Sequence, residues 1–256
     1  MALWRTIDQS ALTIGYFPKQ RNIFGSTSHI KLGVIELALN PVEDVSATIY
    51  ALRQQPTPAA NNTFLYGVSN YANATFGTTL DATFRAGSTI YSGNAEIARQ
   101  RHLAAGANMV AAIYYRVGLS ASKSGCTARA DYENRRSNGG RYGFQTFLSD
   151  QYAYNGNSLV FFPAPIDGLR DSRLTIWRER GAWSMLHEHH WFRIAVGGKN
   201  YGEELNVNAT YKIYKHWRAR ARAMGTLSPE PIHGSKRRQN MDYRELLITL
   251  IQYEKS

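Results

Sequence analysis

Across residues 173–198 the chain carries its clearest two-residue alternation, RLTIWRERGAWSMLHEHHWFRIAVGG. Positions 173–178 alternate apolar with polar side chains, Glu179, Arg180 and Gly181 supply a charged reversal with a glycine, and positions 182–196 return as a long apolar-polar run. A period of two places every second side chain on one face of a strand, so this stretch predicts a β-hairpin. Looser alternation predicts further strands at 29–39, 45–52, 64–71, 76–91, 109–119, 144–148, 158–162, 206–223 and 243–253.

Two stretches read differently. In residues 1–24, Leu3, Trp4, Ile7, Ala11 and Ile14 recur at nearly helical spacing, which predicts an N-terminal helical arm ended by Gly15 and Pro18. The run AEIARQRHLAA follows Asn94 as an N-cap, carries Glu96 in its first turn where the helix dipole favours a carboxylate, and meets Gly106, which predicts a second helix. Residues 120–142, rich in Ser, Gly and Asn around Arg129, Arg135, Arg136 and Arg141, read as a loop, as does the basic stretch 228–240 with Pro229 and Pro231. About ten strands against one or two helices predict a mainly β chain, an antiparallel β-sandwich of the jelly-roll kind. It is read as one domain over 1–256, with the arm at 1–24 and the sandwich at 25–256.

Charge sharpens this picture. A net charge of +11 and a pI near 9.8 call for an acidic partner, such as a nucleotide, nucleic acid or another negative surface. The single cysteine, Cys126, excludes a disulfide within the chain and fits a reducing compartment. Neither an uninterrupted apolar stretch in the first 25 residues nor an apolar window of membrane-helix length is present, so the expectation is a cytoplasmic protein without membrane contact. Asn61, Asn73 and Asn208, each in an Asn-x-Thr triplet, are read as turn chemistry.

Candidate chemistry centres on three places. His187, Glu188, His189 and His190 suggest a metal, but on a strand His187 and His189 share one face and Glu188 and His190 the other, which leaves two donors for one ion where a catalytic zinc needs three. A pH-sensitive packing role for His187, His189 and His190 fits better. In WRARAR, Arg218, Arg220 and Arg222 fall on one strand face about 7 Å apart, a ladder suited to phosphates or nucleotides, with Lys236, Arg237 and Arg238 extending the basic surface. The same charges would also guard an edge strand. Asp150, Asp167 and Asp171 surround Pro163 and are accounted for by turn capping. No G-x-S-x-G, P-loop or dinucleotide-binding spacing occurs, so no enzyme and no cofactor beyond bound nucleotides is expected.

The charged turn Arg178, Glu179, Arg180, Gly181, leading into His190-Trp191-Phe192-Arg193-Ile194, resembles a stretch of cypovirus polyhedrins, and the segment from Tyr243 to Tyr253 containing Glu245-Leu246 is similar too. The resemblance implies a viral structural protein of the host cell cytoplasm with a β-sandwich core. It would self-assemble as a homotrimer, and then as a crystalline occlusion body around virus particles, some members holding nucleotides. Leu3, Trp4 and Ile7 on the arm would mediate that assembly. The 16 tyrosines fit a lattice that persists at neutral pH and dissolves in alkali. A jelly-roll capsid protein packaging nucleic acid, a nucleic-acid-binding module using the arginine ladder and a metal-dependent hydrolase using the histidines are the alternatives.

Overall fold

The computed structural model describes residues 2–7, 10–21, 27–28, 30–56, 72–103, 110–145, 161, 164–214, 217–227 and 243–252. Strands dominate: β1 (Ala2–Ile7), β2 (Ser10–Phe17), the two-residue β3 (Gln20–Arg21) and β4 (Thr27–Ser28), β5 (Ile30–Val42), β6 (Val45–Pro56), β7 (Asn73–Ala86), β8 (Thr89–His102), β9 (Ala111–Lys123), β10 (Cys126–Arg135), β11 (Leu169–Arg180), β12 (Trp183–Ile194), β13 (Asn200–Tyr214), β14 (Trp217–Leu227) and β15 (Tyr243–Gln252). Thirteen of them form one antiparallel sheet in chain order, while β3 and β4 pair separately. Each strand therefore hydrogen-bonds to its sequence neighbours, a meander in place of the expected two-layered sandwich. No helix occurs among the described residues.

The predicted hairpin at 173–198 forms as β11 and β12, with Arg180 opposite Trp183 and a positive φ of 58° at Gly181. Both helix expectations fail. The arm at 1–24 is two paired strands, Leu3 opposite Ile14 and Ile7 opposite Ser10, so these residues occupy a sheet edge and form no projecting helix. Residues 95–102 lie in β8, hydrogen-bonded on both sides, with Ile97 between Thr78 and Tyr115. Glu, Ala, Arg and Gln favour a helix in isolation, but pairing to two neighbours outweighs a preference of a few tenths of a kcal/mol per residue. Two stretches read as single strands, 76–91 and 206–223, are each two strands folded back, and half of the loop expected at 120–142 is β10. Residues 64–71, Gly106 and most of 144–162 lie outside the described residues.

The ends of the sheet differ. Residues 43–44, 87–88, 124–125 and 181–182 join strands at one end, and the same two-residue spacing separates β1 from β2 and β13 from β14. Ser124 and Gly125 both have positive φ (49° and 73°), the signature of a type I′ reversal that matches strand twist. The opposite end carries the long connections 57–72, 136–168 and 228–242.

Register divides the side chains into two unlike faces. One bears Leu12, Ile14, Ile35, Ile49, Phe76, Leu80, Phe84, Ile97, Val117, Leu119, Leu174, Ile176, Met185 and Val207, all exposed, Leu119 by 67% and Phe84 by 61%. The other bears carboxylates, guanidiniums and amides. A monomer in water rarely exposes an apolar area of this extent. Toward both ends the apolar face turns aromatic, with Phe84 stacked on Tyr91 (4.9 Å) and Trp183 against Tyr211 (4.7 Å) near the short turns, and Tyr115 near Tyr132 (6.0 Å) and Trp191 toward the long connections. Trp183 and Trp191 are separated along β12 by about 26 Å of strand, or about 20 Å of height at the usual ~40° tilt, close to the apolar band of a membrane barrel.

Candidate functional site: the ionic inner face

The inner face carries a linked series of charge-assisted hydrogen bonds and ion pairs running across β8 to β12. Arg129 clasps Asp131 (2.8 Å from Nε to Oδ2) and also reaches Asn94 on β8. Asp131 accepts a second guanidinium from Arg173 on β11 (3.0 Å), which in turn approaches Glu188 on β12 (3.8 Å). His190 donates through Nε2 to Glu188 (3.0 Å) and through Nδ1 to Asp171 (2.9 Å). Each of its ring nitrogens thus faces a carboxylate, an arrangement that needs a proton on both. Flanking pairs are Arg135 with Glu133 (2.7 Å) and Arg116 with Glu96 (3.5 Å), and Tyr50 donates to Glu96 (2.7 Å).

Small residues make this network possible. A Cβ on Gly118 would collide with Asp131 Oδ1, Arg129 Nη2 and Asn94 Oδ1, because those side chains lie flat across β9 at that point. Gly77 likewise leaves room for the Tyr50 ring, which crosses β7 to reach Glu96.

The connection from β10 to β11 folds back onto this face at its long-loop end. Tyr142 donates to Gln100 Oε1 (2.7 Å), Gln100 Nε2 donates to the Gln145 carbonyl (3.0 Å), and Phe144 stacks on Tyr114 (5.1 Å), so Tyr142, Phe144 and Gln145 are buried against β8 and β9. Farther along the same connection Phe161 packs on Phe192 (4.5 Å) and Tyr201 (5.3 Å). A segment seated inside a wall of strands narrows whatever space the wall encloses. Gly143 holds the seat, since a Cβ there would strike the Pro165 carbonyl. Gly143→Ala is expected to loosen this arm by about 1–3 kcal/mol, measured as faster tryptic cleavage after the exposed Arg141; an unchanged rate would show that the arm is held by other contacts.

The structure separates the sequence-predicted residues. Of the histidines, His190 is buried on the inner face, while His187 and His189 point to the apolar side, His189 meeting Glu203 (3.0 Å) and stacking on Trp191 (4.1 Å). They do not converge, and no cluster of metal-binding residues occurs among the described residues. Arg218, Arg220 and Arg222 do share one face, the inner one, opposite Lys212, Thr210 and Asn208, and Arg222 donates to Asn208 (2.9 Å). Because β14 pairs on both sides, these arginines do not guard an edge. Leu3, Trp4 and Ile7 are on β1, Cys126 is exposed on β10, Asn73 and Asn208 are strand residues, and Lys236, Arg237, Arg238, Asn61 and Asp150 lie outside the described residues. Asp171 is a buried residue of β11 whose carboxylate meets His190, and it caps no turn. Sequence reasoning put Arg129 and Arg135 in a loop and missed Asp131 and Glu133; all four lie on β10. Their signal was the charge at every second position of β10, hidden by the glycines and serines on either side.

A strand meander with a lipid-like outer face, an ionic inner face, short turns at one end and long connections at the other has the architecture of a transmembrane β-barrel wall. Solved structures agree with that class. The chain is similar to the outer membrane protein opdK from Pseudomonas aeruginosa (TM-score 0.68, 11% identity, covering 97% of this chain and 67% of that one). It is also similar to the outer membrane protein OprD of the same organism (TM-score 0.63, 12% identity, 98% and 67%) and to OccAB4 of Acinetobacter baumannii (TM-score 0.61, 12% identity, 88% and 59%). The chain thus spans about 59–67% of the length of these proteins. No family model and no curated protein matches the sequence.

These likenesses overturn the resemblance to polyhedrins, and with it the occlusion body, the trimer lattice, the virus-particle partners, the host-cytoplasm location and the absence of membrane contact. The capsid alternative goes with them. The turn and the HWFRI run that suggested the resemblance are a two-residue hairpin and an alternating strand, features that any antiparallel sheet produces. Absence of an apolar helix misled the membrane expectation, since barrel strands cross with only every second residue apolar.

Proposed function

We propose that this chain forms the membrane-embedded wall of a porin-like channel in a bacterial outer membrane, non-enzymatic, passing small polar solutes along its ionic face. The observation that carries this reading is the division of the sheet into an exposed apolar outer face and an inner face of linked charges. The seated arm at residues 136–145 serves as the constriction, and the Arg218, Arg220 and Arg222 row supplies a positive stripe that draws anions.

Insertion is tested by refolding the full chain into bilayers of brominated phosphatidylcholine. Trp183 and Trp191, both outward, are expected to be strongly quenched; a chain that stays soluble and unquenched without detergent would overturn the reading. In planar bilayers, the triple change Arg218→Gln, Arg220→Gln, Arg222→Gln is expected to lower the preference for anions over cations on the order of tenfold at low salt, read from reversal potentials. An unchanged ratio would remove the stripe from the conduction path.

A further inference from the structure

On the outer face, immediately beyond the apolar band at the long-connection end, the register gathers cations. Arg53 and Arg101 share a row with Ala74 between them, so they sit about 10 Å apart across three strands. Arg99 falls in the next row beside Phe76 and Ile113, and Arg136 continues that row through its N–H bond to the Ile113 carbonyl (2.9 Å). Arg170 and Arg193 are direct cross-strand partners on β11 and β12. Like charges placed directly opposite oppose pairing unless an anion lies between them. On the described strands the carboxylate at these outward registers is Glu203, and it meets His189. None of the six arginines forms a salt bridge among the described residues, and Arg101 instead lies over the Phe76 ring (5.0 Å).

Height fits a headgroup. Val117, midway along β9, is four residues from Ile113, about 13 Å of strand or about 10 Å of height, which is half of the roughly 20 Å of height between Trp183 and Trp191 and so the edge of the apolar band. Guanidiniums at that level stand where lipid phosphates are, and a planar guanidinium engages a phosphate through two parallel hydrogen bonds.

We propose that this rim binds the phosphate groups of anionic lipid headgroups, with Arg170 and Arg193 sharing one phosphate and Arg53, Arg99, Arg101 and Arg136 holding others. The proposal rests on the reading that the outer face meets lipid. The row of cations then does two things: it fixes the depth of the wall in the bilayer, and it recruits acidic lipid to that end of the wall.

The test uses the full chain inserted in phosphatidylcholine bilayers carrying a trace of spin-labelled phosphatidylglycerol or spin-labelled phosphatidylcholine. The immobilised fraction of each label measures its association with the protein. The acidic label is expected to associate about fivefold more strongly than the neutral one, and Arg99→Gln, Arg101→Gln, Arg136→Gln, Arg193→Gln combined should bring the ratio close to one. Should the fourfold variant fail to insert, Arg193→Gln alone is expected to lower the ratio measurably. Equal association of both labels with an inserted wild-type chain would overturn this inference while leaving the channel reading intact. Loss of the preference in inorganic phosphate, but not in chloride of the same ionic strength, would assign the rim to free phosphate and overturn the headgroup assignment. Failure of the wild type to insert at all would remove both readings together.

Discussion

Leu119→Arg is expected to destabilise the folded wall by about 2–4 kcal/mol in bilayers, measured by urea unfolding followed through tryptophan fluorescence. Leu119 is 67% exposed, between Gly93 and Ala130 on the outer face and midway between Tyr115 and the end of its strand. Were that face in water, exchanging an exposed leucine for arginine would shift stability by no more than about 0.5 kcal/mol. In lipid the guanidinium must keep its charge near the centre of the hydrocarbon, where neither water nor a carboxylate reaches it. Ser122→Arg, farther along the same strand on the inner face and opposite the uncharged Ile90 and Thr127, is the matched control, and its cost is expected to stay below about 0.5 kcal/mol. The contrast between the two positions reads the two faces directly. Equal, small effects at both would mean that the outer face is not in lipid.

How legible was this in the sequence? The hairpin of β11 and β12 was readable because alternation, a charged turn and Gly181 all agree there. The arginine row of β14 was placed on one face for the same reason. What could not be read was the direction of each face. In a soluble sandwich the apolar side of every strand turns inward, and the rule carried over to this chain assigns Leu80, Ile97 and Val117 to a core. They are instead the outside, exposed by 50%, 54% and 46%, and the polar side is what packs. A composition only 43% hydrophobic gives no warning, because half of each membrane strand is polar by construction.

The helix expectations failed for a related physical reason. In β8 the inward positions hold Glu96, Ala98 and Gln100, and the outward ones Ala95, Ile97, Arg99 and Arg101. On the proposed membrane reading these arginines stand at the bilayer edge, where outward residues need not be apolar; the two-residue period fades there, and helix-favouring side chains remain. In the arm at 1–24, the tight spacing between Ile7 and Ser10 folds two short alternating runs into a pattern that mimics a period of 3.6. The network residues Asp131, Arg173, Glu188 and His190 are scattered over 60 positions and meet only through pairing of β10, β11 and β12. No local spacing encodes that meeting; register alone creates it.

Asp131→Ala is therefore expected to damage more than one contact. Asp131 is almost wholly buried, with 4% of its side chain exposed, and serves two guanidiniums, Arg129 and Arg173, whose exposures are 30% and 17%. Removing the carboxylate leaves Arg173 between β10 and β12 with the more distant Glu188 and Asp171 as counter-charges. Breaking a buried pair on one side costs about 3–5 kcal/mol, and the lower end applies because Arg129 can turn toward water. Asp131→Asn keeps an acceptor for one arginine and is expected to cost less than Asp131→Ala. If the damage comes from stranded charge, adding Arg173→Met to Asp131→Ala should restore part of the loss, a coupling visible in a double-mutant cycle by urea unfolding in vesicles. A cost below about 1 kcal/mol for Asp131→Ala would mean that water already solvates these arginines. The inner face would then be a set of independent pairs, and the linkage from Asn94 through Arg129, Asp131, Arg173 and Glu188 to His190 would carry no mechanical weight.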